Sequence, residues 1–209
     1  LLKSYLNEMS KIALKYGGTI DKFVGDAILI FFGDPETKGD KEDAYSCVLM
    51  ALEMQERMHH LKNLWEGQGI TNPLEIRIGI NTGYCNVGNF GSENRLDYTI
   101  IGGEVNLASR LESNAMTGQI LISQETYALI KKHIICEKKD EIKVKGIAHK
   151  IQTYQVVGSY KNIAQKRKIL NEEFDGFNLN IDLNISKKNK VITSLENTLK
   201  QLKKDEKSN

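Results

Sequence analysis

The 209 residues show no strong charge of either sign, few cysteines and no long apolar run. Formal net charge is only +2, so nothing in the balance calls for nucleic acid or an anionic membrane as partner. Three cysteines, Cys47, Cys85 and Cys136, lie far apart and form neither a Cys-x-x-Cys metal pattern nor a disulfide framework. They fit a reducing cytoplasm, as small buried hydrophobes. The longest unbroken apolar run, Ala27 to Phe32, is six residues, well short of the ~20 needed to cross a bilayer. No signal peptide is evident, and no internal repeat or low-complexity block. The chain begins Leu1-Leu2-Lys3 rather than with Met, which is expected of a fragment.

What is present is an ordinary globular composition, 40% apolar and 27% charged. Charge is uneven: from Ser159 onward eleven Lys or Arg face seven Asp or Glu, leaving the tail at +4 and the rest at −2. Leu2, Leu6, Met9, Ile12, Ala13 and Tyr16 recur at helical spacing, and Gly17-Gly18 ends that helix. Thr19–Val24 and Ala27–Phe32 read as a hairpin turning at Gly25-Asp26. Asp40 is expected to cap a helix running to about Gly67, with Ala44, Val48, Ala51, Leu52, Met58 and Leu61 inward.

Further strands are expected at Leu74–Asn81, Tyr84–Asn89, Tyr98–Ile101, Ile120–Ile122, Ile134–Glu137, Glu141–Val144 and Gln152–Val157. Helices are expected at Glu104–Asn114 and Gln124–Lys131. Strands interleaved with helices, several of them hairpin-linked, predict an α+β sandwich with a mostly antiparallel sheet flanked by helices. Residues 159–175 read as a charged linker, 176–204 as a strand–helix appendage built on the alternation Phe177 to Ile185, and 205–209 as a disordered tail.

Two constellations carry chemistry. The first runs from Gly18 through Thr19-Ile20-Asp21-Lys22-Phe23-Val24-Gly25-Asp26-Ala27. An aspartate beside glycine at a hairpin tip is a good hard-cation ligand, since the glycine lets a metal or phosphate approach closely, although an Asp in such a turn also serves as a plain turn residue. The second runs from Asp97-Tyr98-Thr99 to Asn106-Leu107-Ala108-Ser109-Arg110-Leu111-Glu112. Asn106 and Arg110, four residues apart, project from one helical face. Near a metal, an amide and a guanidinium there suit a triphosphate under attack, and a surface Arg110 paired with Glu112 or a neighbour is the plain alternative. The adjacent His59-His60 pair points in directions about 100° apart and reads as solvated helix surface rather than a metal site.

Together with Ile78-Gly79-Ile80-Asn81-Thr82-Gly83 and Val144-Lys145-Gly146, these stretches run in one order over residues 1–158. In them the chain resembles the class III adenylyl/guanylyl cyclase family, whose fold is related to the ferredoxin-like one. The resemblance implies a role for each matching residue. Asp26 matches the second of two metal-binding aspartates, and Asn106 and Arg110 the pair that orients the ribose and stabilises the transition state. Lys22 and Thr99 match the positions that read the purine, and Lys145 a lysine that contacts the triphosphate.

Lysine and threonine there imply ATP rather than GTP, with cyclic AMP and pyrophosphate as products. Also implied are two Mg²⁺ or Mn²⁺ ions per site, a homodimer in which Lys22 and Asp26 serve different sites, and an upstream sensor or membrane domain. The first metal aspartate of the family is expected ahead of Leu1, so the chain as it stands should turn over weakly or not at all. The alternatives are a guanylate cyclase, or a non-catalytic nucleotide-binding or dimerisation domain. A diguanylate cyclase is disfavoured because Val105, not a second acid, follows Ile101-Gly102-Gly103-Glu104. Gly103 stands where many relatives carry Asp.

Overall fold

The computed structural model describes residues 1–144, 150–160, 169–174, 177–182 and 188–205. They divide into two compact units, Leu1–Ser159 and Tyr160–Asn209.

In the first unit, α1 (Leu2–Lys15) closes on Tyr16, with Gly17 at φ 84°. Gly18 N donates to Ala13 O (2.9 Å) and Gly17 N to Leu14 O (3.1 Å), a Schellman stop. β1 (Thr19–Val24) then pairs antiparallel with β2 (Ala27–Phe31), Val24 opposite Ala27. The two-residue loop is Gly25-Asp26 with Gly25 at φ 66°, a primed turn as expected. One irregularity interrupts the ladder: Ile20 faces Ile30 and Lys22 faces Leu29, so Asp21 is the extra residue of a bulge.

α2 (Asp40–Gly67) begins at Asp40 itself, one residue earlier than expected, with Gly39 rather than Asp40 as N-cap. Asp43 instead ties the entry, accepting from Lys38 N (3.1 Å) and Thr37 Oγ1 (2.5 Å). The helix is apolar on two sides. Met50, Met54, Met58, Leu61 and Trp65 meet Tyr5, Met9, Ile12 and Ala13 of α1. Ala44, Val48 and Ala51 meet a four-stranded sheet.

That sheet consists of β3 (Ile78–Ile80), β6 (Ile120–Ser123), β8 (Thr153–Ser159) and β7 (Ile134–Lys138). β3–β6 is its one parallel pair, the others being antiparallel. Alternation along β6 sends Ile120 and Ile122 toward α2 and Leu121 toward α3 (Gly103–Asn114). On that side Leu107, Leu111 and Ala115 pack with Leu121, Val144 and Ile151. Each such buried Leu, Ile or Val side chain contributes about 1.5–3 kcal/mol.

β3 is shorter than the alternation of Leu74–Asn81 suggests because hydrogen bonding to β6 begins only at Ile78. Ahead of it, Ile76 O is taken by Gly118 N (2.8 Å) and the Gln55 side chain (3.1 Å). Glu141–Val144 similarly reduces to one bridge, Ile142 with Ile151. β4 (Asn86–Ser92) and β5 (Arg95–Ile101) form a separate hairpin, and α4 (Gln124–Ile130) is capped by Ser123. Among the described residues no helix is long and apolar enough to cross a membrane.

In the second unit, β9 (Ile169–Phe174) pairs antiparallel with β10 (Phe177–Asp182), and α5 (Lys188–Asp205) follows. The strand β9 lies inside the stretch read from sequence as linker, and α5 extends to Asp205. Residues 183–185, the end of the expected strand, fall outside the described residues.

Candidate active site

No backbone ladder joins the β1–β2 hairpin to the β4–β5 hairpin; side chains dock them. Asp21, displaced by the bulge, sends its carboxylate across to β5, where Thr99 Oγ1 (2.7 Å) and Ile100 N (2.9 Å) both donate to Oδ2. A second tie runs from Tyr98, whose hydroxyl donates to Asp34, while Thr19 Oγ1 donates to Asp34 O (2.7 Å).

The Asp21 side chain is 0% exposed. Its other oxygen, Oδ1, lies 3.2 Å from Lys22 Nζ. The angle there is too poor for a hydrogen bond, so the contact is a Coulombic one between a buried anion and a half-exposed cation. Lys22 and Thr99, the two residues expected to read a purine, are thus brought onto one carboxylate. Thr99 itself is 6% exposed.

α3 opens at Gly103 after Gly102, with Asn106 and Arg110 on its exposed face. Its seat is a close backbone approach. A Cβ on Gly79 of β3 would fall 2.2 Å from Glu112 N and 2.4 Å from Ala108 O. The alternative of an Arg110–Glu112 pair is not realised, since Glu112 Oε1 takes Arg77 Nε at 2.5 Å. Among the described residues Arg110 has no ion-pair partner, and no hydrogen bond links Asn106 or Arg110 to the Asp21 cluster.

Asp26 is exposed at its hairpin tip, on the side of α1. The buried Tyr5 hydroxyl is pushed above its ordinary value, first by burial and then by the Asp26 charge. As a ligand Asp26 has the right chemistry, a free carboxylate for a hard cation, but it stands alone. No group of three His, Cys, Asp or Glu able to hold a metal occurs among the described residues. They do not make up a two-metal site. His59 and His60 are exposed, as read. Lys145 falls outside the described residues.

With this geometry in place, the profile of the Adenylate and Guanylate cyclase catalytic domain matches residues 1–158. The chain belongs to that family. Adenylate cyclase 1 of Rhizobium meliloti (strain 1021) is 31% identical over 160 residues, covering 76% of this chain and 24% of that protein. An adenylate cyclase of Anabaena cylindrica is 30% identical over 166 residues, covering 74% and 31%. The chain thus spans about a third or less of these curated cyclases.

Among solved cyclases, the adenylyl cyclase CyaB from P. aeruginosa superposes with TM-score 0.75 at 63% identity, over 77% of this chain and 82% of that one. The guanylyl cyclase Cya2 gives TM-score 0.71 at 37% identity, over 76% and 79%. The α+β cyclase fold follows.

The family motifs were legible in the sequence; the use made of Asp21 was not. It belongs to the first motif, but its partners lie 78 and 79 positions away, and the bulge that takes its side chain out of the ladder is visible only in the structure.

Proposed function

We propose that this chain is catalytic-domain sequence of an adenylate cyclase, which converts ATP to 3′,5′-cyclic AMP and pyrophosphate at sites shared between two copies. The observation that supports ATP is the joining of Lys22 and Thr99 through Asp21. An ammonium can donate to adenine N1, and a hydroxyl oxygen can accept from the 6-amino group. The slight exposure of Thr99 suits a single ligand contact rather than a broad pocket wall.

Asn106 orients the ribose. Arg110, uncommitted on the same helix face, meets the negative charge that grows on the phosphorus oxygens, where planar charge-assisted donors act best. Lys145 adds charge against the triphosphate. Asp26 would hold Mg²⁺ or Mn²⁺ through one carboxylate oxygen, with further oxygen donors needed to complete the shell, and the ion would supply Lewis acidity toward the 3′-hydroxyl and charge neutralisation at the phosphates.

The test is selectivity between ATP and GTP in a complete cyclase domain carrying this sequence. Lys22→Glu with Thr99→Cys should erode the preference for ATP. Unchanged selectivity removes both residues from purine reading. A wild-type preference for GTP supports the guanylate alternative.

A further inference from the structure

A threonine hydroxyl is ambiguous as a purine reader. It has one proton and two lone pairs, so a free rotor can accept from a 6-amino group or donate to a 6-oxo group. Selectivity requires that something commit the proton.

In this chain something does. The Thr99 proton points at Asp21 Oδ2 (2.7 Å), and an ionised carboxylate only accepts. The same oxygen takes Ile100 N–H at 2.9 Å, a backbone donor on the same strand, so the carboxylate is held in register with the hydroxyl that it orients. The side chain is wholly buried, which keeps water from competing. Oδ1, also buried and without a hydrogen bond, faces the Lys22 ammonium at 3.2 Å. We propose that Asp21 is a positioning residue for purine selection: it fixes Thr99 as acceptor only and steadies Lys22 as donor, so that the pair matches a 6-aminopurine and opposes a 6-oxopurine.

This inference rests on the proposed role of Lys22 and Thr99. A 6-amino group would meet a lone pair, whereas a 6-oxo group would set oxygen against oxygen. Asp21 touches no substrate and acts through its two neighbours.

The experiment is competition binding to the full chain with Mn²⁺, displacing a fluorescent ATP analogue. The competitors are ATP, purine riboside triphosphate (N1 kept, hydrogen at position 6) and inosine triphosphate (6-oxo). A lost neutral hydrogen bond is worth up to about tenfold in affinity. Asp21→Ala should therefore lower the preference for ATP over purine riboside triphosphate by up to about tenfold and relax rejection of inosine triphosphate. Affinity for purine riboside triphosphate should change much less, which reports that the fold is intact.

Asp21→Asn should keep the preference, because its amide oxygen can replace Oδ2. Asp21→Glu keeps the charge but displaces the oxygens by a methylene, and should lose the preference even if the alanine variant does not fold. In a Thr99→Val background, Asp21→Ala should add nothing further. If Thr99→Val lowers the preference while Asp21→Ala and Asp21→Glu keep it, the inference alone is wrong; so it is if Asp21→Asn loses as much as Asp21→Glu. If Thr99→Val changes nothing, or no ATP binds, the underlying purine-reading proposal fails and takes this inference with it.

Discussion

Replacing Gly79 by alanine should be among the most damaging single-methyl additions in this chain. The new Cβ would sit 2.2 Å from Glu112 N and 2.4 Å from Ala108 O, both backbone atoms of α3. Ordinary contact is roughly 3.4 Å or more, so β3 and α3 must part by about 1 Å. No rotamer change relieves a clash with backbone. Overpacking typically costs 1–3 kcal/mol, and the upper end, about 3 kcal/mol, is expected here. For a unit of this size that corresponds to a fall of roughly 6–12 °C in melting temperature.

Gly103→Ala is the matched control. Nothing lies within 4 Å of a Cβ there, and the residue begins α3, so the change should be neutral or stabilise by up to about 1 kcal/mol. Thermal and urea unfolding of the two variants beside the parent decide it. A Gly79→Ala protein within about 0.5 kcal/mol of the parent would falsify the close seating of α3 on β3, and with it the account of how Asn106 and Arg110 are held in place.

Three further outcomes are expected. Tyr16, its hydroxyl raised to about 12 by burial and then by its hydrogen bond to Glu53 (2.6 Å), loses its proton later in the folded chain than in the unfolded one. Its contribution is therefore intact below about pH 10 and lost as pH climbs toward 12, about 1 kcal/mol after discounting for partial exposure; in urea titrations across that window Tyr16→Phe should flatten the decline, and an identical decline refutes the assignment.

Thiol labelling of the native chain should show one fast cysteine, the exposed Cys85. Cys47 and Cys136 are half-buried, and burial pushes their thiols to about 12 and about 11, so both should label far more slowly than Cys85; a second fast thiol contradicts that picture. Arg77→Ala should cost less than about 1 kcal/mol despite its 2.5 Å contact with Glu112, because both side chains are well exposed; a loss above 2 kcal/mol in urea unfolding would show that the pair is structural.

Elements governed by their own periodicity were readable from the sequence, and those governed by a distant partner were not. α1 shows a clean apolar stripe and ends where its glycines say. The inward residues listed for α2 from sequence omit Met50, Met54 and Trp65, because a helix covered on two sides has no single stripe. β9 was concealed by Asn171-Glu172-Glu173 within an otherwise apolar run, although the Asp175-Gly176 dipeptide is itself a hairpin signal. Lys22, Thr99, Asn106 and Arg110 were found through long motifs. That Lys22 and Thr99 share one buried anion depends on β1 and β5 meeting, and no local pattern encodes that meeting.

The bulge in β1 has a consequence for which changes this hairpin can accept. Partnering resumes at Lys22–Leu29 only because one residue is spent at Asp21. Deleting one residue between Ile20 and Lys22 would remove the bulge, restore a regular ladder and turn the side chains beyond it to the opposite face. Lys22 and the route of Asp21 to Thr99 would be lost together. The segment can vary in many of its letters, but hardly in its length, and insertions or deletions between Gly18 and Ala27 should abolish nucleotide binding where most conservative substitutions do not.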